Sequence, residues 1–409
     1  MNNKIAHFFN SIRSIKHKIY PYTKIKHLDE LKKYDLLDYI DLSNLDLQDH
    51  LDLFVKTTSS NKALNWTEHV IWPNPDKLPK DFNPKKLLEN SMSPRNMEKI
   101  KKSGIDGNGI NIAIIDQPLL QENPEYRDNI KYYSHARTDT NLPVQMHGAL
   151  VSCRAVGKNT GTAPGANLYY FEADINSNSE NYNFFDANIN ALTRILEYQQ
   201  KAQPSERINI LSCSWGITGA SDGKTFPTYE QILKQYTLIQ KLYDQGIKII
   251  HCSSAIKAPA KNKNRADIEK DLQDQGFSKI HWCDQIFFPT DENIDLSKRF
   301  FDYPETIGIP TLNMSHIDYK GRKQFQPSGG DSSAAPYLAG VYACALQDNK
   351  IFMTRPNWQE ELDTILKETA TPMKNGGKMI KPIGIRERVT QIAREMEMNL
   401  IKQKSLQNE

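Results

Sequence analysis

The chain has 409 residues, a formal net charge of +3 and 38% hydrophobic residues. So small a net charge argues against nucleic acid as a partner, because surfaces that bind nucleic acid are strongly basic. No stretch approaches the roughly 18 consecutive apolar residues that a membrane-spanning helix needs. The length is enough for one large α/β domain with an extension, or for two to three ordinary domains.

Cysteine usage bears on metal binding and on the compartment. Neither a C-x-x-C nor an H-E-x-x-H spacing occurs, so we predict no metal site and no cofactor. No continuous apolar segment typical of a secretion signal is seen near residue 1. Scattered free thiols fit a reducing compartment, and a cytoplasmic location is therefore expected. The cysteines are Cys153, Cys213, Cys252, Cys283 and Cys344.

The first 95 residues differ in composition from the rest. Residues 1–27 hold basic residues and no acids, with apolar residues at helical spacing, which indicates a basic amphipathic helix. We expect this helix to dock onto the protein or a partner; contact with a membrane surface and a cleaved organellar presequence are the alternatives. Residues 28–53 are acidic and rich in leucine, which indicates a solvated helical face. Residues 54–95 are polar, with Trp66 and Trp72 as expected anchors.

A buried strand followed by an acid begins the main domain. Residues 112–115 form the apolar run Ile-Ala-Ile-Ile, and Asp116 follows. The run predicts a parallel strand, and a carboxylate at the carboxyl end of such a strand lies where α/β proteins place their sites. The glycines of residues 104–109 stand before this strand, whereas a dinucleotide fingerprint needs them after it, so dinucleotide binding is rejected. A turn or a helix cap is the structural alternative for Asp116.

A histidine stands at the start of the next predicted helix. Residues 146–157 combine small and apolar residues, with His147 in the first turn and Gly148 directly after it. A turn at 161–166 then leads into a predicted strand at 167–171. Among the ten histidines, only His147 is followed by glycine at the opening of an apolar helix. This position singles it out from histidines that serve packing or the surface.

The stretch 330–336, Gly-Asp-Ser-Ser-Ala-Ala-Pro, follows a glycine-rich turn and opens a run of small apolar residues. This pattern predicts a helix with Ser332 near its amino end, where N–H groups without helical partners and the helix dipole favour negative charge. A serine hydroxyl in that place can attack a carbonyl while its own N–H faces the oxyanion that forms. A tight turn without chemistry is the alternative.

Asp116, His147 and Ser332 follow one another in the order known from subtilisin. From about residue 96 to about residue 390, the chain resembles the subtilisin-like serine proteases, the subtilases of peptidase family S8. The resemblance is carried by 113–116, by His147-Gly148 with Val151, by 161–166, and by 330–336 with Ala339-Gly340.

The resemblance implies a subtilisin-like α/β fold, a mostly parallel sheet with helices on both faces. Composition sets residues 1–95 apart as an N-terminal extension or a small domain, and the resemblance makes 96–409 a catalytic domain with a C-terminal helix. The resemblance also implies a serine endopeptidase in which Ser332 is the nucleophile, His147 the general base and then acid, and Asp116 the group that orients the imidazole. The implied substrate is a peptide or protein. That it is processed inside the cell is expected from the lack of a recognisable secretion signal and not from the resemblance. The extension would be a propeptide or a recruiting arm.

Substrate contacts are implied by the same resemblance. The strand-like segment 208–216 ends in Ser214, Trp215 and Gly216. In the family the matching residues pair through their main chain with an extended substrate, which is recognition by strand addition. An ordinary core strand is the alternative for this segment.

The chain departs from the family where the oxyanion is stabilised. The family's asparagine has no counterpart after the strand predicted over 246–252, and Ser253 or Ser254 is the candidate donor in its place. Losing one such donor costs roughly 10²–10³ in kcat. Asp331 also stands before the serine where the family commonly has threonine. These departures leave an alternative open: a weak or inactive subtilase that binds a peptide or a partner.

The remaining segments carry no chemistry in our interpretation. Residues 256–300 are charged and irregular, which indicates a surface insertion with a helix. Helices are predicted at 358–371 and 386–403. The oxygen-rich stretch 174–180 lacks a calcium-loop pattern and is predicted to be a plain loop.

Overall fold

The structure, a computed structural model, describes residues 23–24, 39–43, 45–48, 63–78, 82–137, 142–173, 184–215, 227–252, 265–274, 287–290, 306–326, 330–373 and 377–407. Its strands are β1 (Thr23–Lys24), β2 (Tyr39–Asp41), β3 (Ala63–Thr67), β4 (Asn111–Asp116), β5 (Ile130–Ser134), β6 (Asn167–Glu172), β7 (Ile210–Cys213), β8 (Lys248–His251), β9 (Phe287–Pro289), β10 (Ile307–Ile309), β11 (Met314–Ile317), β12 (Lys323–Gln326), β13 (Thr371–Pro372) and β14 (Lys378–Met379). Its α-helices are α1 (Pro84–Asn90), α2 (Glu98–Lys102), α3 (Met146–Val156), α4 (Phe184–Lys201), α5 (Tyr229–Asp244), α6 (Arg265–Asp274), α7 (Gly330–Leu346), α8 (Trp358–Thr369) and α9 (Pro382–Gln407). Short 3-10 helices cover Pro75–Lys77, Arg127–Asn129 and Lys350–Thr354.

A parallel sheet of five strands forms the centre of the main domain, in the order β5-β6-β4-β7-β8. Its middle strand β4 is buried along its whole length, as the apolar run predicts. Asp116, the last residue of β4, lies in register with Glu172 of β6. Because all five strands run the same way, their carboxyl ends meet at one edge of the sheet, and Asp116 lies there.

Helices cover both faces of this sheet, because successive residues of a strand point to opposite sides. Ile112 and Ile114 belong to a core shared with residues of α3 and α7. Ala113 and Ile115 belong to a second core, shared with residues of α4 and α5. The predicted α/β architecture, a mostly parallel sheet with helices on both faces, is confirmed.

Close packing fixes α7 on the turn that follows α3. A Cβ atom at Gly340 would lie 1.8 Å from Thr162 Oγ1 and 3.0 Å from the Ala155 carbonyl oxygen, so only glycine fits there. Thr162 Oγ1 donates to the Tyr337 carbonyl oxygen at 3.0 Å. The small residues of the serine stretch therefore allow its helix to rest directly on the histidine helix and its turn.

Two further sheets, of four and five strands, have the orders β13-β14-β10-β9 and β1-β2-β3-β12-β11. The five-stranded one joins the N-terminal extension, residues 1–95, to the main domain, residues 96–409. Its strand β3 runs antiparallel to β12, with Trp66 opposite Phe325. The hairpin of β11 and β12 ends at Gln326, shortly before the first residue of α7.

Two predictions for the extension are wrong where the structure describes it. Thr23–Lys24 is a strand that pairs with β2 instead of continuing a helix over residues 1–27. Leu42 and Leu47, expected on a solvated helical face, follow β2 and are only 2% and 1% exposed. Pairing with neighbouring strands overrides local periodicity here. Residues 1–22 lie outside the described part of the chain.

Other predictions are confirmed in outline and corrected in their bounds. Trp66 is buried and Trp72 packs against it, as expected of anchors. Helix α8 ends at Thr369, because Thr371–Pro372 pairs with β14. Helix α9 begins earlier than predicted, at Pro382, which suits a first helical turn.

Two observations bear on the compartment and membrane predictions. The described cysteines, Cys153, Cys213, Cys252 and Cys344, are free thiols. Among the described helices, none combines the length and the apolar character needed to cross a bilayer. The stretch 174–180, which was predicted to be a plain loop, lies outside the described residues.

Candidate active site

The acid and the imidazole meet at the carboxyl edge of the central sheet. Asp116 is 1% exposed and His147, the second residue of α3, is 8% exposed. His147 Nδ1 lies 2.8 Å from Asp116 Oδ1 and 2.9 Å from Oδ2. An ionised carboxylate can only accept, so the proton is on Nδ1 and the lone pair of the neutral ring is on Nε2. This is the tautomer that a general base needs.

The glycine after the histidine has a steric reason. A Cβ atom at Gly148 would lie 2.5 Å from Tyr170 Oη and 2.6 Å from the Gln117 carbonyl oxygen. The Tyr170 hydroxyl also donates to that carbonyl oxygen, and the Gln117 amide donates to Asp116 Oδ1 at 2.8 Å. Residues around Asp116 thus press against the first turn of α3, and glycine permits the approach that brings His147 to the carboxylate.

Burial and charge act in opposite directions on His147. Burial alone lowers the pKa of an imidazole, because it disfavours the charged form. The negative charge of Asp116 and its hydrogen bond outweigh burial, and the pKa of His147 is raised above its ordinary value. His147 is therefore a stronger base than a buried histidine without a carboxylate partner.

Ser332 lies in the first turn of α7 and contacts the end of β7. Gly330, which opens the helix, has a φ of 53°, in the left-handed region that favours glycine. Ser332 Oγ donates to the Ser214 carbonyl oxygen at 3.1 Å, and Ser214 Oγ donates to the Ser332 carbonyl oxygen at 2.9 Å. Since Ser214 directly follows β7 and β7 neighbours β4, Ser332 sits at the same sheet edge as Asp116.

The structure does not join the predicted nucleophile to the predicted base by a hydrogen bond. The single hydroxyl proton of Ser332 is directed to Ser214, and within the described residues Ser332 makes no bond to His147. Rotation of the Ser332 side chain about χ1 would free this proton for another acceptor. No pattern in the sequence indicates this reciprocal pair of serines.

The predicted substrate edge is only partly described. Ser214 and Trp215 are each 6% exposed, and the Trp215 carbonyl oxygen accepts from the Cys252 amide at 3.2 Å. Gly216, with the oxyanion candidates Ser253 and Ser254, lies outside the described residues. Pairing with an extended substrate and the identity of the oxyanion donor both stay predictions.

One feature of the site, the environment of Cys252, was not predicted from the sequence. Cys252 follows β8 at this edge, and burial, with negative charge from Asp331 and Asp116 nearby, raises the pKa of its thiol well above the ordinary value. A thiol with so high a pKa stays protonated and is a poor nucleophile. Across the described residues, no group of three or more His, Cys, Asp or Glu side chains could hold a metal ion.

Comparisons with known proteins give likenesses of fold. No protein-family model matches the sequence, and no curated protein matches it. A cold adapted subtilisin-like serine proteinase is similar over 67% of this chain and 89% of its own, with 14% identity and a TM-score of 0.44. The prenylagaramide maturation protease PagA is similar over 72% of this chain and 99% of its own, with 15% identity and a TM-score of 0.47. At such identities the likeness concerns the fold and not the chemistry of the site.

Proposed function

We propose that the protein is a serine endopeptidase that works through an acyl-enzyme, with Asp116, His147 and Ser332 as its triad. The observation that carries the proposal is the buried hydrogen bond from His147 Nδ1 to Asp116, at the sheet edge where the helix of Ser332 begins. A carboxylate, an imidazole and a hydroxyl on one edge supply an orienting group, a base and a nucleophile.

In this mechanism the Ser332 hydroxyl turns away from Ser214 and gives its proton to Nε2 of His147 as Oγ attacks the substrate carbonyl carbon. Asp116 stabilises the imidazolium that forms, in keeping with the raised pKa of His147. The Ser332 N–H, at the amino end of α7, faces the developing oxyanion. The imidazolium then protonates the leaving amine, and water releases the acyl group by the same steps. Proton transfer of this kind contributes roughly 10²–10⁴ in rate.

Reaction with a fluorophosphonate probe tests the proposal directly. The probe should form an adduct that peptide mass spectrometry places on Ser332, and Ser332→Ala should abolish it. Ser333→Ala is a matched control, because Ser333 is fully buried and its hydroxyl has no partner among the described residues. The Ser333→Ala variant should form the adduct to the same extent as the unsubstituted protein. Absence of any adduct in the folded, unchanged chain would contradict the proposal.

One observation favours the second candidate, a subtilase-like protein that binds a peptide without cutting it. The Ser332 hydroxyl is held by the Ser214 carbonyl oxygen instead of the imidazole. A pseudoenzyme of this kind would bind a peptide with no adduct and no cleavage. The labelling experiment therefore separates the two candidates.

The substrate is a peptide or a protein, and we place the reaction in processing inside the cell. The free thiols of the described residues support a reducing compartment. Processing predicts cleavage at few sites: purified protein incubated with casein should leave most of it intact, in a reaction where the probe labels Ser332. Rapid degradation of casein to small peptides would count against processing while leaving the proposed chemistry in place.

A further inference from the structure

A strand of the extension is built into the sheet that leads to the candidate nucleophile. Beyond the Trp66–Phe325 register pair, the Glu68 amide donates to the Lys323 carbonyl oxygen at 3.0 Å. Gln324 Nε2 donates to Asn65 Oδ1 at 2.9 Å, and both side chains are buried. Backbone and side-chain groups of β3 are thus satisfied by β12, and separating them would leave buried polar groups unpaired.

An aromatic contact fills the same interface. The rings of Trp66 and Phe325 stack with centroids 4.1 Å apart, and the two residues are 3% and 5% exposed. Trp72 and Phe82 meet the Trp66 ring edge-on, at 5.6 and 6.0 Å. Phe325 is in turn part of the core formed with residues of the extension, Leu42, Leu47, Trp66, Val70 and Leu88. A removable segment would leave this apolar surface open to water.

A second attachment connects the end of the extension with the hairpin and with α7. Ser91 Oγ lies 2.6 Å from Ser315 Oγ, and the Ser315 amide donates to the Ser91 carbonyl oxygen at 2.9 Å. Arg95 Nη2 donates to the Asn313 carbonyl oxygen at 3.0 Å. The Tyr337 hydroxyl of α7 donates to the Arg95 carbonyl oxygen. The extension therefore touches both the hairpin and the helix that carries Ser332.

We propose that residues 63–95 are a permanent part of the catalytic unit and not a propeptide that activation removes. Within them Trp66 is a positioning residue: through Phe325 it holds β12, whose last residue, Gln326, precedes Ser332 by a short segment. The positioning role rests on the proposed function, since it concerns the reactivity of Ser332. The permanence of the segment does not, because it follows from the contacts alone.

Cutting the chain between Leu78 and Phe82 tests permanence. A site for a specific protease is inserted there in the full chain, and the cut protein is passed over a sizing column without denaturant. The amino-terminal fragment should co-elute with the remainder, or the remainder should precipitate when the fragment is washed away with mild denaturant. Separation into a free fragment and a soluble remainder that keeps its melting temperature would overturn the proposal. Because this measurement does not depend on activity, its result can be interpreted even if Ser332 does not react with the fluorophosphonate probe.

Rates of fluorophosphonate labelling test the role of Trp66. Trp66→Ala should slow labelling of Ser332 roughly tenfold or more, since a misplacement of about 1 Å can cost about 10²-fold in rate. Trp66→Phe keeps a ring against Phe325 and should restore most of the rate. Leu47→Ala is the control for stability, because Leu47 lies in the same core while its amide bonds to Ile71 instead of the hairpin. Equal labelling by Trp66→Ala and Leu47→Ala, at matched melting temperatures, would show that Trp66 acts on stability alone.

Discussion

Asp116→Asn is expected to lower the rate of peptide hydrolysis by about 10⁴-fold while the chain stays folded. An asparagine at this position can present its amide N–H₂ to the ring, which favours the wrong tautomer of His147. It also removes the negative charge that stabilises the imidazolium. The measurement is the steady-state rate on a peptide substrate, with circular dichroism as the check on folding.

The pH profile gives this variant a second signature. Asp116 raises the pKa of His147 against the effect of burial, so in Asp116→Asn burial acts alone and the pKa falls. The base is the neutral imidazole, so the rising limb of activity should move to lower pH. The stability linked to this histidine should change as well: in the unchanged chain, His147 protonation favours folding at low pH, and that contribution is lost as pH rises through the raised pKa.

Asp128→Asn is the matched control, because the Asp128 side chain is 86% exposed. This variant should leave both the hydrolysis rate and the rising limb of the pH–rate profile unchanged. Suppose that Asp116→Asn hydrolyses the peptide within tenfold of the rate of the unsubstituted protein, and that the rising limb of its pH–rate profile lies at the same pH. Asp116 would then not act on His147 during turnover.

Gly148→Ala is expected to destabilise the fold by about 1–3 kcal/mol, the range of an overpacked core, and to abolish labelling of Ser332. The added methyl group would meet the Gln117 carbonyl oxygen at 2.6 Å, and a backbone atom cannot swing aside as a flexible side chain does. The first turn of α3 must then move, and the His147–Asp116 bond moves with it. Urea unfolding measures the loss of stability.

Gly384→Ala provides the control for the same change in another helix. The nearest atoms to its added Cβ would be 3.2–3.5 Å away, on the side chains of Thr369 and Lys381. Alanine is favoured over glycine in a helix by up to about 1 kcal/mol, so this variant should be neutral or slightly more stable. If Gly148→Ala unfolds at the same urea concentration as Gly384→Ala, the close approach around Gln117 has no energetic consequence.

The parts of the fold that could be predicted are those in which the residue types themselves indicate burial or close packing. The apolar run of β4 indicates burial on both faces, and the small residues of α7 indicate close packing, which Gly340 and Thr162 confirm. Asp116 could be placed at the carboxyl edge of the sheet because the ends of parallel strands meet there. Its meeting with His147 was expected only from the resemblance of the two motifs to those of the subtilases.

What could not be predicted depends on pairs of residues far apart along the chain. Nothing in residues 63–67 indicates a partner near residue 325. The pattern of a strand shows which side chains share a face of the sheet, but it does not show which strand lies beside it. The reciprocal bonds of Ser332 and Ser214 are likewise a matter of side-chain rotamers, which residue types do not specify.

The pairing of β3 with β12 sets an order of events during synthesis. The ribosome makes β3 early and reaches β12 about 260 residues later, a delay on the order of tens of seconds at about 5–20 residues per second. Throughout that time Trp66 and the edge of β3 that later pairs with β12 lack this partner, and such an edge can pair with a strand of another chain. Nascent chains should therefore depend on chaperones until translation is nearly complete, and slow hosts should yield more aggregate than fast ones.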